Sequence, residues 1–218
     1  DQFCGPMGTS TISAMINSAE RSSKIVAIIL HTDSPGGMVQ GTEQLSSTIK
    51  NISKPSVGFV DGLMASAAYW AASATDHIIS AGNTAMIGSI GTMTSVADLK
   101  PYYEKQGVKF HDVRADKSKD KNEEYYQMLQ GNYDPIKKNQ LNPLNDVFLN
   151  SVRSNRAEKL TDPETEDVLT GKLYLSADAI KYGLIDDEGS FEAAVDKAYE
   201  LAGIKKSSIY SQNSNTKA

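Results

Sequence analysis

The stretch Asp61-Gly-Leu-Met-Ala-Ser-Ala-Ala-Tyr-Trp-Ala-Ala-Ser-Ala74 decides how the chain is read. It follows the strand-like run Ser56-Val-Gly-Phe-Val60, and its small apolar residues predict a buried helix with Ser66 in the first turn. On an exposed amphipathic helix, charged residues would lie one turn from a serine. Around Ser66 stand Gly62, Leu63, Ala67, Ala68, Tyr69 and Trp70. A buried hydroxyl with no partner costs about 1–3 kcal/mol, so this position asks for a reason. One is catalytic: a helix N-terminus offers unpaired N–H groups and a positive dipole end, suited to stabilising an oxyanion. The other is structural: an N-cap serine satisfies its own backbone. Both readings stand on this stretch alone.

Upstream, Lys24-Ile-Val-Ala-Ile-Ile-Leu-His-Thr32 is the apolar, β-branched pattern of a strand buried on both faces. Asp33-Ser-Pro-Gly-Gly37 breaks it. Helices are expected over Thr9–Arg21, with Ile12, Met15, Ile16 and Ala19 on one face, and over Thr42–Ile52. Strand and helix thus alternate at short spacing, which predicts an α/β fold with a parallel sheet and crossover helices. Downstream, His77–Ser80 and Ala85–Gly91 read as short extended segments. Val96–Gln106 reads as a helix closed by Gly107, and Val108–Arg114 as a half-buried strand. Residues 115–124 carry charge without periodicity. Helical stretches fill Tyr125–Arg156, with Leu141, Leu144, Phe148 and Val152 on one face and Pro135 and Pro143 at first turns or kinks. An acidic loop spans Leu160–Gly171. Leu173–Asp186 reads as strand, Ser176-capped helix, Gly183 stop and short strand, and Phe191–Ala202 as a terminal helix. One domain over residues 1–203 is expected, with a helical extension at about 125–156 and a polar, disordered tail over 204–218.

A chain of 218 residues with ordinary apolar content can bury a core. Its net charge of −5 disfavours nucleic acid as a partner. The single cysteine, Cys4, excludes an internal disulfide. The longest apolar run, Ile25–Leu30, is far shorter than the roughly 20 residues of a membrane helix. Because the chain starts at Asp1-Gln2 it reads as a fragment or processed form, which leaves room for an upstream anchor.

Asp33-Ser-Pro-Gly-Gly37 can turn with its N–H groups exposed and cradle an anion or oxyanion. Its alternative reading is a tight strand-to-helix turn. It matches neither the dinucleotide fingerprint nor the P-loop. No metal is expected, since His31, His77 and His111 are scattered and no paired-cysteine or H-E-x-x-H motif exists. His31 and His77 fall in strand patterns, the place of a satisfied structural histidine. The G-x-S-x-G elbow motif is missing. Without a histidine, a serine nucleophile can use a desolvated lysine. Lys117, Lys119 and Lys121 lie in one loop, although its composition is that of a solvated segment.

Taken together, Asp33-Ser-Pro-Gly-Gly37, Met64-Ala-Ser-Ala-Ala-Tyr-Trp70, Ile87-Gly-Ser-Ile-Gly91, Gly107-Val-Lys-Phe110 with its lysine loop, and Gly171–Asp186 resemble the signal peptide peptidase A (protease IV) family. Ala-Ala-Tyr-Trp after the serine looks more like the phage and prophage branch, which includes capsid-maturation proteases. The resemblance implies a Clp/crotonase-like fold, with repeated ββα/βαβ units, a mostly parallel sheet and flanking helices. It also implies a Ser-Lys dyad endopeptidase without metal or cofactor, acting on signal-peptide remnants or on phage capsid and scaffold proteins. Ser66 matches the nucleophile, and Ala67 with Gly36 or Gly37 the oxyanion hole. Ser89 matches the serine that orients the lysine. Two registers give the base as Lys121 or Lys119, with Lys121 preferred. A homo-oligomer is expected from the same resemblance, in the bacterial cytoplasm or a phage prohead, with membrane association only through a segment upstream of Asp1. Two other readings share the fold: an acyl-CoA enzyme of the crotonase type, and an inactive capsid or scaffold component.

Overall fold

The computed structural model describes residues 8–160 and 168–204. Cys4, most of the expected acidic loop and nearly all of the expected polar tail lie outside the described residues. Among the described residues, those before 92 and from 148 onward pack into one compact unit, and residues 92–147 into another.

The first unit begins with helix α1 (Thr9–Arg21), strand β1 (Ile28–Ser34), helix α2 (Thr42–Lys50) and strand β2 (Ser56–Ala65). Helix α3 (Ala67–Ala72) and strands β3 (His77–Ser80) and β4 (Met86–Gly88) follow. β1 starts at Ile28, later than the apolar run suggests. Its ladder opens with the Ile28 N–H on the Pro55 carbonyl, and β2 begins only past that proline. β1 pairs with one side of β2 in parallel. On the other side, Val57–Val60 pair with β3 and Leu63–Ala65 with β4, both in parallel. One long strand therefore serves two neighbours in succession. This is why β2 runs on to Ala65 instead of ending at Val60, and why Ser66 follows a strand rather than sitting within a helix.

The second unit holds helices α4 (Lys100–Lys105), α5 (Glu123–Leu129) and α6 (Asp134–Ile136), a π turn over Lys137–Leu141 and the start of α7 (Asn142–Arg156). Pro101 and Pro135 sit in first turns, where a missing N–H costs nothing. Pro143 follows directly on the π turn, where the regular helical pairing is already interrupted. Gly107 at φ +85° stops the chain after α4, as its position suggests. The expected strand Val108–Arg114 does not form. Its alternating residues have no partner strand among those described, and Val113 is 92% exposed.

From Phe148, α7 belongs to the first unit, which closes with β5 (Leu173–Leu175), α8 (Ser176–Lys181), β6 (Asp187–Glu188) and α9 (Phe191–Leu201). β6 joins β3 in parallel, whereas β5 joins β4 antiparallel, so the six-stranded sheet is mixed. Ser176 occupies the first turn of α8, and its hydroxyl donates to the Gly82 carbonyl at 2.6 Å. The main core gathers Val60, Met64, Tyr69, Trp70, Ile78, Ile87, Phe148, Val152 and Leu184. Trp70 stacks on Phe148 at 4.6 Å and donates to Ser151 Oγ at 2.7 Å. Tyr69 donates to the Leu184 carbonyl. The residues after Ser66 are thus held by side chains far along the chain, which fixes where α3 begins.

Candidate active site

The turn from β2 into α3 is made by a single residue. Ser66 has φ 53° and ψ −125°, a conformation that costs a non-glycine residue about 1–3 kcal/mol. The strain is held in place on both sides. The Ser66 N–H donates to the Gly88 carbonyl at 2.8 Å, and its carbonyl accepts the Trp70 N–H at 2.9 Å. This is the sharp strand-to-helix geometry that exposes a serine hydroxyl in nucleophile elbows, reached here without the G-x-S-x-G motif. Ser66 occupies the N-cap position, yet its side chain accepts no capping hydrogen bond. Of the two readings left open by the sequence, the capping one therefore lacks its bond.

Gly36, at φ +99°, packs directly against this elbow. A Cβ there would lie 2.7 Å from the Ala65 carbonyl oxygen, 2.7 Å from Ser66 Cβ and 2.9 Å from the Ala67 nitrogen. Only glycine permits that approach. The Gly36 N–H donates to Ser34 Oγ at 3.2 Å, whereas Gly37 has open space around it. Ala67 is the first residue of α3, where helical N–H groups have no intrahelical acceptor. Ser89, at φ 51°, follows Gly88, whose carbonyl holds Ser66, and the Ser89 N–H donates to the Lys172 carbonyl at 2.7 Å. The structure thus gathers Ser66, Ala67, Gly36 and the Gly88–Ser89 corner at the ends of β1, β2 and β4. Lys119 and Lys121 are exposed and belong to the second unit. The Lys119 carbonyl accepts from Arg114, and the Lys121 N–H donates to the Ser118 carbonyl.

His31 and His77 have local carboxylate partners. His31 Nε2 lies 2.8 Å from Asp61, and His77 Nε2 lies 2.9 Å from Asp187. Two residues near the elbow were not singled out from the sequence. The Asp33 carboxylate accepts the Leu63 N–H at 3.0 Å, and a Cβ on Gly62 would lie 2.6 Å from that same carboxylate. The only available signal was position, Asp33 heading the glycine loop and Gly62 lying four residues before Ser66.

The fold defines the class first. An enoyl-CoA hydratase from Shewanella pealeana superposes with a TM-score of 0.53 at 11% identity, over 95% of this chain and 76% of that one. A monofunctional enoyl CoA isomerase from M. smegmatis gives 0.52 at 12% identity, over 92% and 74%. The chain therefore has the crotonase fold, α/β with a mixed sheet and flanking helices, as the resemblance implied. Likeness at that identity speaks of architecture alone. Within that class, the model of peptidase family S49 matches residues 48–205, and the chain belongs to that family. Protease 4 of Haemophilus influenzae is 30% identical over 197 residues, 89% of this chain and 31% of that protein. The chloroplastic serine protease SPPA of Arabidopsis thaliana is 28% identical over 200 residues, 87% of this chain and 28% of that protein. The chain thus spans about a third or less of the length of these relatives.

Proposed function

We propose that the chain is a serine endopeptidase in which Ser66 is the nucleophile and a lysine of the second unit, Lys121 or Lys119, is the base. The observation that carries this reading is the strained elbow at Ser66, whose hydroxyl is not engaged in a cap and against which the Gly36 backbone is pressed. The neutral amine takes the Ser66 proton as Oγ attacks the peptide carbonyl. The tetrahedral oxyanion is met by the Ala67 N–H and by an N–H of the glycine loop. Because the Gly36 N–H already meets Ser34 Oγ, the loop donor assigned is Gly37, with Gly36 permitting the close approach. The amine returns the proton to the leaving nitrogen, the C–N bond breaks, and water then releases the acyl group from Ser66. Ser89 orients the lysine. Substrates are peptides or proteins, with signal-peptide remnants and phage capsid or scaffold proteins as the two kinds to try, and the working form is a homo-oligomer.

Ser66→Ala tests the reading directly. Peptide hydrolysis is expected to fall by at least about a thousandfold, while circular dichroism and the urea midpoint stay near those of the parent. A variant that keeps the parent's turnover rejects Ser66 as nucleophile.

A further inference from the structure

We infer that Asp33 is a positioning residue that sets the spacing between the two halves of the oxyanion hole; this rests on the Ser66 peptidase reading. The half contributed by Gly36 and Gly37 follows β1. The half contributed by Ala67 follows β2. Both act on one oxygen, so the slide of β1 along β2 decides whether the two N–H groups converge.

The ladder that sets this slide breaks just before the glycine loop and resumes at a single pair. Thr32 pairs with Val60, but Ser34 pairs with Met64, so β1 advances two residues while β2 advances four. Over Asp61–Leu63 the regular pairing with β1 is interrupted, and the N–H of Leu63 goes to a side chain of β1. Asp33 is the one residue of β1 within that gap. Its carboxylate accepts the Leu63 N–H at 3.0 Å and so replaces the missing rung. A single side-chain acceptor placed at this point braces the bulge. From this brace the chain runs three residues to Gly36 on one side and four to Ala67 on the other.

Gly62 completes the device. Its φ lies outside the positive range, so its backbone does not demand glycine. What excludes a side chain is Asp33 itself: a Cβ on Gly62 would stand 2.6 Å from Oδ1 and 3.0 Å from Cγ of Asp33. Glycine at 62 is explained by the carboxylate at 33, and the pair acts as one unit in bringing the glycine loop to the elbow.

The test is steady-state hydrolysis of a peptidyl-aminomethylcoumarin by the full chain. Asp33→Ala is expected to lower kcat about 10- to 100-fold, the scale of a misplaced catalytic donor, with KM within about twofold. Asp33→Asn keeps an acceptor oxygen at the same place and is expected to stay within about threefold of the parent. Gly62→Ala displaces the carboxylate and is expected to behave like Asp33→Ala. The double variant Asp33→Ala/Gly62→Ala is expected to be no worse than either single, because the clash vanishes with the carboxylate. The inference is overturned by parent-level kcat in Asp33→Ala, by an Asp33→Asn loss as deep as that of Asp33→Ala, or by a loss confined to KM. Multiplicative losses in the double variant overturn it too. Should Asp33→Ala not fold, the comparison of Asp33→Asn with Gly62→Ala decides: equal activity overturns the role. An inactive Ser66→Ala beside a fully active Asp33→Ala removes only the Asp33 role, whereas an active Ser66→Ala removes the peptidase reading itself.

Discussion

Gly36 and Gly37 are neighbours in sequence with opposite surroundings. A methyl group on Gly36 would strike the carbonyl of Ala65, Ser66 Cβ and the nitrogen of Ala67, at a φ of +99° that L side chains rarely adopt. A methyl group on Gly37 would meet nothing within 4 Å. Gly36→Ala therefore has to push the loop away from the elbow or carry the clash. It is expected to cost about 1–3 kcal/mol of stability and about a hundredfold or more in turnover. Gly37→Ala keeps its N–H and is expected to change turnover only about twofold, as open surface changes do. Urea midpoints and kcat for the two variants check both halves. Equal damage at the two positions would mean that the elbow is not what demands glycine.

Among the elements, β2 and α3 show what the sequence could and could not reveal. Residue type drew attention to Ser66 among small apolar neighbours and to the glycine loop as an anion cradle, but left a capping or turn role open at both. Only the family resemblance implied a nucleophile at Ser66 and a donor at Gly36 or Gly37. The structure places Ser66 half-buried at a strand end. The strand, however, extends through Leu63-Met-Ala65, residues with good helix propensity that pair with Met86–Gly88. That partner lies some twenty residues downstream, so tertiary pairing overrides the local preference. The same blindness hid Asp33, whose partner is thirty residues away. It also made Val108–Arg114 look like a strand, since alternation reports a face that could be buried and not whether anything buries it.

Element packing also carries a prediction about acid. Arg156, near the end of α7 and 1% exposed, donates to both carboxylate oxygens of Asp186 at 3.0 Å and to the Gly183 carbonyl at 2.9 Å. Lys159 and the Ile78 N–H join the same carboxylate. Burial pushes the Asp186 carboxyl up. The Arg156 hydrogen bonds and charge, with Lys159 and the Ile78 N–H, outweigh it and hold it below the usual carboxylate range. A carboxyl lowered by folding contributes stability that is complete above its unfolded value, about 3.9, and that is lost as pH falls through its folded value. The urea midpoint is thus expected to be insensitive to this group above about pH 5 and to drop below about pH 4. Asp186→Asn should be less stable at neutral pH and flatter in acid, and Arg156→Ala should lose up to about 3 kcal/mol, because Lys159 and the Ile78 N–H still hold the buried carboxylate. Superimposable acid branches for parent and Asp186→Asn would rule out this group as the source.

On the scale of the whole molecule, the proposed nucleophile and the proposed base belong to different compact units. The first unit fixes Ser66 through a sheet, a stacked Trp70–Phe148 pair and the Gly88 carbonyl. The second carries Lys117, Lys119 and Lys121 in a short segment of turns before α5, and their composition by itself is that of a solvated loop. For that reason the base was the least legible part of the site: a lysine's role depends on where it is desolvated, which no local pattern encodes. A dyad nevertheless makes a sharp demand, since one serine needs one amine. Lys119→Ala and Lys121→Ala, made separately, are expected to differ by about a thousandfold or more in kcat/KM, with Lys121→Ala the inactive one and the other within about twofold of the parent. Combining the inactivating lysine change with Ser66→Ala should cost no more than Ser66→Ala alone, because residues that act as one unit do not add. Lys117→Ala serves as the charge-matched control and should match the parent. Full activity in both Lys119→Ala and Lys121→Ala would falsify the dyad while leaving Ser66 as nucleophile, and the search for the base would then move to other residues.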